Sequence, residues 1–281
     1  MKDSFFSINQ LKSILKDYNL RLTKRFGQNF LIDRNKALQI LKLMELSLQD
    51  KVVEIGAGIG TMTFLIAERV SSVTAFEIDR GFLKLLNEYS KDFSNVQIIG
   101  GDFLKVAKIE NFPEKVKVYS SLPYNSAVKI LIRLAEFRDN IERLVVLLPE
   151  EIVKRAQAEP SSKEYGVFTI FFSSYYKIEP PLIKVERNLF FPSPDVDSKA
   201  MLLKPLNKKE ISYNPEDFIS FVSKFFQKRR KTLRNILNDL DLKLDNRFYN
   251  LDLSVRPEDC SLDFYKNAYN FFLTIQKKYI K

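Results

Sequence analysis

The sequence predicts an α/β protein with a mostly parallel sheet, followed by a small domain of helices alone. Two observations favour the sheet. Short β-branched runs alternate with stretches of helical apolar periodicity from residue 52 to about residue 150. Glycine or acidic residues follow several of these runs, as they commonly do at the carboxyl edge of a parallel sheet. An apolar stripe at helical spacing after residue 214 favours the helical domain.

The first unit of the sheet is a strand at residues 52–55, a glycine-rich turn and a helix. Gly56, Gly58 and Gly60 suit such a turn because glycine accepts positive φ and lets a ligand approach the backbone. The spacing is G-x-G-x-G, and Thr61 stands where a dinucleotide fingerprint has its third glycine. The turn therefore predicts a nucleotide-like ligand but weakens a nicotinamide or flavin interpretation.

Two acidic residues follow the next two predicted strands. The strand at residues 72–76 runs into Glu77, and the strand at residues 96–99 is followed by Asp102. A carboxylate in the first position accepts hydrogen bonds from the ribose hydroxyls of a nucleoside, and one in the second can accept from an adenine amine. Either acid alone is commonly a solvated strand end. Their joint position at successive strand ends predicts a nucleoside site.

The same alternation continues along the chain. The predicted elements are strands at residues 115–119, 143–148 and 198–203, helices at 126–137 and 150–158, and a buried strand and core helix within 165–176. The strand at 198–203 suits an antiparallel hairpin that closes the sheet.

Three segments are predicted: an N-terminal extension at residues 1–20, a sheet domain at 21–206 and a helical domain at 207–281. The extension carries an amphipathic pattern, which favours a helix packed on the core over a recruitment arm. Its apolar residues are Ile8, Leu11, Ile14 and Leu15. The helical domain begins with Asn214 as a helix cap and Pro215 at the first helical position.

The net charge of +10 points to a polyanionic partner, of which nucleic acid is the natural candidate. Two basic clusters stand out, and either could be a phosphate contact or a solvated face. The first consists of Lys12, Lys16, Arg21, Lys24 and Arg25, and the second of Lys228, Arg229, Arg230, Lys231 and Arg234.

Composition excludes several kinds of site. The chain has no histidine and a single cysteine, Cys260. It therefore cannot form a zinc site of Cys and His ligands or a Ser-His-Asp catalytic triad. We expect no metal and assign no redox role to Cys260. No run of apolar residues is long enough for a membrane span, and the N-terminus lacks the apolar core of a signal peptide. A cytoplasmic protein without a membrane partner is expected.

The segment Ser121-Leu122-Pro123-Tyr124 leaves the fourth predicted strand and suits an exocyclic adenine amine. Such an amine is a poor nucleophile because its lone pair is delocalised into the ring. Acceptors aimed at its N–H bonds favour a pyramidal nitrogen, and here they are the Leu122 carbonyl and the Ser121 hydroxyl. Pro123 fixes φ, and Tyr124 offers a ring face on which an extruded base can stack.

Seven segments together resemble the small-subunit ribosomal RNA adenine dimethyltransferases, which are relatives of the erythromycin-resistance methylases. The resemblance covers nearly the whole chain from Lys24 onward, and the set is highly specific. The segments are Phe26-Gly27-Gln28-Asn29-Phe30-Leu31, Glu54-Ile55-Gly56-Ala57-Gly58, Glu77-Ile78-Asp79, Gly101-Asp102, Leu122-Pro123-Tyr124-Asn125, Phe190-Phe191-Pro192-Ser193-Pro194-Asp195-Val196-Asp197-Ser198 and Arg229-Arg230-Lys231-Thr232-Leu233-Arg234-Asn235. The last resembles the ribosomal enzymes more than the resistance enzymes.

The resemblance implies a Rossmann-like class I methyltransferase sheet with a small C-terminal helical domain that binds RNA. The implied enzyme transfers methyl groups from S-adenosylmethionine to the N6 amines of two adjacent adenosines near the 3′ end of small-subunit (16S) rRNA. Its partner is that rRNA within an assembling 30S-type particle, and a monomer is the default.

The resemblance also assigns site residues by position. Asn29 and Leu31 flank the methionine end of the donor, and the turn residues Gly56 and Gly58 contact it. Glu77 holds the ribose, Asp102 the adenine, and Ser121 borders both donor and acceptor. Phe190 stacks the target base opposite Tyr124.

Three positions depart from the family pattern. Ser121 stands where Asn is usual, Pro149 where Gln is common, and Asp195 where a basic residue is common. A serine hydroxyl still accepts a hydrogen bond, so we expect retained but slower activity. Two other functions stay open: a methylase of large-subunit rRNA, and a non-catalytic assembly factor, for which Ser121 is the motivating feature.

Overall fold

The computed structural model describes residues 5–22, 27–122, 124–239 and 252–279, without the side chains of 124 and 276–279. Contacts divide the chain into two compact units. The first contains Met1–Val153 and Tyr176–Asn207, and the second contains Lys154–Tyr175 and Lys208–Lys281. No helix in the described ranges is both long and apolar enough to span a membrane.

Helices and strands alternate from residue 51 to residue 149, as predicted. The first part of the first unit consists of α1 Ile8–Asp17, β1 Phe30–Leu31, α2 Arg34–Lys42, β2 Lys51–Ile55, α3 Thr61–Ala67, β3 Ser72–Glu77, α4 Arg80–Tyr89, β4 Val96–Gly100, α5 Phe103–Val106, β5 Val116–Ser121, α6 Tyr124–Glu136 and β6 Ile141–Pro149. Helix α7 Glu150–Ala156 then runs into the second unit. The chain returns to the first unit with β7 Tyr176–Val185, β8 Phe190–Phe191 and β9 Ser198–Pro205. The second unit adds α8 Val167–Tyr175, α9 Pro215–Phe226, α10 Leu233–Asp239 and α11 Leu262–Tyr279.

The main sheet has seven strands in the order β4-β3-β2-β5-β6-β9-β7. The pairs from β4 to β6 are parallel, and β9 is antiparallel to both β6 and β7. This confirms the α/β class and the closing hairpin. The chain places β3 and β4 on one side of β2 and then β5 on the other. Such a reversal opens a crevice at the carboxyl ends of β2 and β5.

The extension is part of the first unit and packs as a helix. Leu11, Ile14 and Leu15 of α1 are buried in the core, whereas Ile8 is 42% exposed. The apolar pattern therefore predicted the buried face of α1 except at its first residue. Of the N-terminal basic cluster, Lys12, Lys16 and Arg21 are exposed, while Lys24 and Arg25 lie outside the described residues, as does Phe26.

The predicted boundary of the sheet domain, residues 21–206, differs from the observed division. Residues 154–175 belong to the second unit, and the first unit ends at Asn207. The reason is α8, whose residues Phe168, Phe171 and Phe172 are all buried. A helix that is apolar on every side needs neighbours all round. It finds one in α9 of the second unit.

Several element limits also differ from prediction. Lys115 has a φ of 58° and precedes β5, which extends to Ser121, so Ser121 ends the strand instead of lying in the turn. Helix α6 begins at Tyr124, before the predicted residue 126. Strand β7 was not predicted because Pro180 and Pro181 interrupt its pattern, and its register with β9 shifts there. The strand pair β1 and β8 was also missed, since each strand has two residues.

The second unit has an aromatic core. Asn214 caps α9 by accepting hydrogen bonds from the Glu216 and Asp217 N–H groups, as the sequence predicted. Phe221 packs against Tyr269 of α11, with ring centroids 5.1 Å apart. The second basic cluster lies mainly in the turn at residues 227–232 between α9 and α10.

Candidate functional site

A cavity of about 260 Å³ opens in the crevice between β2 and β5. Its walls come from the segment that leads into β1, the glycine turn and the carboxyl ends of β3, β4 and β5. Among its lining residues are Asn29, Leu31, Gly56, Gly58, Glu77, Asp102, Ser121 and Leu122. The structure thus brings the residues predicted for the donor and part of those predicted for the acceptor into one cavity.

The backbone of the glycine turn forms one wall of the cavity, and a side chain there would block a ligand from approaching it. Gly56 and Gly58 have φ of 82° and 59°, a region that glycine adopts without penalty. A Cβ at Gly58 would lie 2.9 Å from the Phe30 ring, too close for contact. The N–H groups of Gly56 and Ala57 both donate to the Phe76 carbonyl, at 2.9 and 3.0 Å. The turn is therefore fixed to β3 while its other face stays open to a ligand.

Glu77 is held rigidly at the cavity wall. The Gly58 N–H donates to its Oε2 at 2.6 Å, and the Asp79 N–H donates to its Oε1 at 2.7 Å. Burial raises the pKa of Glu77, and these hydrogen bonds act against that rise. Each carboxylate oxygen has a second lone pair, so the oriented group can still accept from two neighbouring hydroxyls. This is the arrangement expected of a ribose ligand.

Asp79 and Asp102 shape the same wall through helix caps. Asp79 accepts from the Gly81 N–H at 2.8 Å, and the Gln28 side chain donates to its other oxygen at 2.9 Å. The second contact fastens the segment that carries Asn29 to the edge of the cavity. Asp102 accepts from the Leu104 N–H at 3.1 Å at the start of α5. Its second oxygen is not used by this cap.

Glu54 is a lining residue to which the sequence analysis assigned no role. It is 1% exposed, and its Oε2 has no hydrogen-bond partner among the described residues. Burial, with the nearby charge of Glu77, raises its pKa to about 8. The available signal was an acidic residue within the apolar strand Val52-Val53-Glu54-Ile55. A buried carboxyl oxygen without a partner suits a ligand that carries a cationic N–H group.

The acceptor segment is anchored on both sides. The Leu122 N–H donates to the Leu147 carbonyl of β6 at 2.9 Å, and Ser121 pairs with Leu147 in the sheet register. A Cβ at Gly56 would lie 3.8 Å from the Ser121 carbonyl oxygen, at ordinary van der Waals distance, so the gap between the glycine turn and the acceptor segment is about one methyl group wide. Pro123 and the Tyr124 side chain lie outside the described residues.

Phe190 is placed differently from its predicted role. It is 5% exposed and packs in the core, and it is absent from the cavity lining. Its strand nevertheless adjoins the site, because Phe190 pairs with Leu31 across β8 and β1. Adjacent residues of a strand point to opposite faces, and Phe191 is the more exposed of the two. In this conformation the Phe190 ring is not open to a base.

The second basic cluster of the second unit is largely paired with acids. Lys228 and Lys231 contact Asp239 at 2.7 and 3.2 Å. Arg229 contacts Glu258 at 3.0 Å. Within the described ranges, Arg230 has no ion-pair partner, and Arg234 lies near the charge of Asp252. The described residues also contain no acidic or sulfur cluster that could hold a metal ion.

Comparison with known proteins identifies the family. Residues 19–257 match the family model described as ribosomal RNA adenine dimethylase. The chain belongs to this family. A relative from Alkaliphilus oremlandii, ribosomal RNA small subunit methyltransferase A, is 36% identical over 94% of this chain and 96% of its own. The chain is therefore a methyltransferase of the rRNA adenine dimethylase family, as the sequence motifs indicated.

Solved structures share the fold. A dimethyladenosine transferase from Plasmodium falciparum superposes with a TM-score of 0.69 at 19% identity, covering 88% of this chain and 97% of that one. The 23S rRNA methyltransferase ErmE superposes with a TM-score of 0.63 at 24% identity, covering 86% and 99%. At these identities the likeness establishes the class I methyltransferase fold alone.

Proposed function

We propose that this dimethylase binds S-adenosylmethionine in the cavity and methylates the N6 amines of two adjacent adenosines near the 3′ end of 16S rRNA. The proposed partner is the rRNA of an assembling 30S-type particle in the cytoplasm. The observation that carries the proposal is that the glycine turn, Glu77, Asp102 and the Ser121–Leu122 segment meet in one cavity. The name of the Alkaliphilus relative supports the small subunit as the source of the substrate.

The residues present fit this donor. The two oxygens of Glu77, each held by a backbone N–H group, can accept from the hydroxyls of a ribose, and Asp102 retains an oxygen that can accept from an adenine amine. The unpartnered Oε2 of Glu54 suits the ammonium group of the amino-acid end. When bound, S-adenosylmethionine would supply an electrophilic methyl group on a cationic sulfur. The buried acids of the cavity favour a ligand with positive charge.

The acceptor segment acts by orienting the amine. The Leu122 carbonyl and the Ser121 hydroxyl can accept from its N–H bonds and so favour a nitrogen whose lone pair points out of the ring plane. The chain contains no histidine. None is required, because the amine becomes acidic once alkylated and can lose its proton to water. Ser121 is shorter than the usual Asn, so we expect weaker orientation and a lower rate.

The test is methylation in a purified system. The protein is incubated with methyl-labelled donor and with 30S subunits from cells that lack this protein, and the rRNA is analysed by mass spectrometry. We expect dimethyladenosine at two adjacent positions near the 3′ end of 16S rRNA. Label in 23S rRNA would instead indicate a large-subunit methylase. RNA binding without label would indicate a non-catalytic assembly factor.

A further inference from the structure

A buried hydroxyl joins the donor and acceptor halves of the site. The Ser120 Oγ–H donates to the carbonyl of Ile55 at 2.7 Å. Ser120 is the penultimate residue of β5, Ile55 is the last residue of β2, and the two are partners in the parallel register. Gly56 follows Ile55 directly, and Ser121 follows Ser120 directly. The hydrogen bond therefore links the two strand ends from which the glycine turn and the acceptor segment depart.

The hydroxyl has a strong physical reason to keep this bond. Ser120 is 0% exposed, so water cannot replace the Ile55 carbonyl as a partner. An unpaired buried hydroxyl is destabilising, and the observed O···O distance is typical of a good O–H···O bond. Tyr119 and Ser121, on either side of Ser120, both line the cavity. Since side chains alternate along a strand, Ser120 points away from the ligand.

We infer that Ser120 is a positioning residue for methyl transfer, an inference that rests on the proposed function. It holds the acceptor segment at a fixed distance from the glycine turn without touching donor or base. On its other side the segment is held by the Leu122 N–H bond to Leu147 of β6. Ser120 thus adds a side-chain anchor toward β2 to the backbone pairing of the two strands, and Leu147 provides the anchor toward β6.

This anchor matters because group transfer depends steeply on the distance between the reacting atoms. A displacement of about 1 Å can reduce a rate by about 100-fold. A Cβ added at Gly56 would lie 3.8 Å from the Ser121 carbonyl oxygen, so the gap between the two segments is about one methyl group wide, and loosening β5 from β2 changes that gap directly. Ser121 itself orients the amine less firmly than the usual Asn. We therefore expect the anchor beside it to have a large effect on the rate.

The experiment compares Ser120→Ala with Ser174→Ala. Ser174 is a matched control, because it is also 0% exposed and its hydroxyl also donates to a backbone carbonyl, that of Ile170, at 2.7 Å. Ser174 lies in α8 of the second unit and does not line the cavity. Both variants lose one buried hydrogen bond, so their loss of thermal stability should be similar.

We expect Ser120→Ala to lower kcat for methylation of 30S subunits about tenfold or more, with donor Kd changed less than about threefold. Ser174→Ala should leave kcat within about twofold of the unchanged protein. Ser120→Cys keeps the shape of the side chain but has a weak donor, and it should resemble Ser120→Ala. An equal kcat for the Ser120 and Ser174 variants would overturn the inference.

Amide hydrogen exchange provides a readout that does not need methylation. In the presence of S-adenosylhomocysteine, Ser120→Ala should speed exchange at residues 56–58 and 121–122, and Ser174→Ala should not. Unchanged exchange at both segments would overturn the inference even if the substrate were misassigned. Failure of the unmodified protein to methylate 30S subunits, with faster exchange in Ser120→Ala, would refute the proposed function and leave the positioning role supported.

Discussion

Charged side chains are held differently in two regions: the cavity of the first unit that is proposed to bind the donor, and the turn at residues 227–232 of the second unit, called the basic turn here. In the cavity, Glu77 receives short hydrogen bonds from two backbone N–H groups, which fix its direction before any ligand arrives. In the basic turn, Lys228, Arg229 and Lys231 point at Asp239 and Glu258 on an exposed surface. Under the proposed function, RNA must compete with these acids, whereas a ribose meets a prepared acceptor. Changes in the cavity should therefore have the larger effects.

The largest effect is expected from Glu77→Ala. Two hydrogen bonds to a charged group are lost, each contributing about 1.5–3 kcal/mol, so donor affinity should fall by at least about 100-fold. Isothermal titration with S-adenosylmethionine measures this, and RNA binding should stay nearly unchanged. Unaltered donor affinity would remove Glu77 from the ribose site. A matching loss of RNA affinity would mean that the change unfolds the protein.

The second largest effect is expected from Gly58→Ala. An alanine at this position must adopt positive φ, and its methyl group would lie 2.9 Å from Phe30, so the turn or the Phe30 ring has to move. We expect donor Kd to rise by about tenfold, or about 1.4 kcal/mol. Gly60→Ala is the control, since Gly60 also has positive φ but does not line the cavity. It should cost stability with little change in the Kd of the folded protein.

Glu54 provides a test by pH. Its pKa is about 8 in the folded protein against an ordinary value of 4.5, so between these values the folded state binds more protons than the unfolded state. Stability therefore falls as pH rises through this window. Because Glu54→Gln cannot ionise, its free energy of unfolding should increase relative to the unmodified protein from pH 5 to pH 8. Urea denaturation of the ligand-free proteins measures the difference. A difference that does not change with pH would contradict the raised pKa.

The smallest effects are expected in the basic turn. Arg230→Ala should lower RNA affinity by about threefold and reduce the salt dependence by about one unit of slope, because Arg230 has no acid partner in the described ranges. Arg229→Ala should lower it less, since Arg229 already contacts Glu258. Filter binding at several salt concentrations compares them. An equal effect of both variants would show that the ion pair with Glu258 does not weaken RNA contact.

Residues at the carboxyl ends of neighbouring parallel strands were the part of the site that could be predicted from sequence. Strands β2, β3 and β4 are short β-branched runs, and parallel strands bring their carboxyl ends to one edge, so Glu77 and Asp102 had to converge. Glu54 was overlooked because its importance comes from burial without a partner. Sequence shows that an acid is present but not whether another group satisfies it.

The elements that could not be predicted depend on contacts distant in sequence. Strand β8 forms only because Phe190 meets Leu31, and the same contact buries the ring that was expected to stack on a base. Residues 154–175 join the second unit because α8 packs against α9, which follows β9 along the chain. The proposed positioning role of Ser120 depends on its hydrogen bond to Ile55, from which it is separated by 65 residues.

A crystal structure of the protein with S-adenosylhomocysteine would test most directly whether one cavity holds donor and acceptor. We expect both ribose hydroxyls to lie within hydrogen-bond distance of the Glu77 carboxylate, with the sulfur atom directed at the Ser121–Leu122 segment. A ligand bound elsewhere, or one whose sulfur atom faces away from Leu122 while its ribose lies on Glu77, would contradict a single cavity that holds donor and acceptor together.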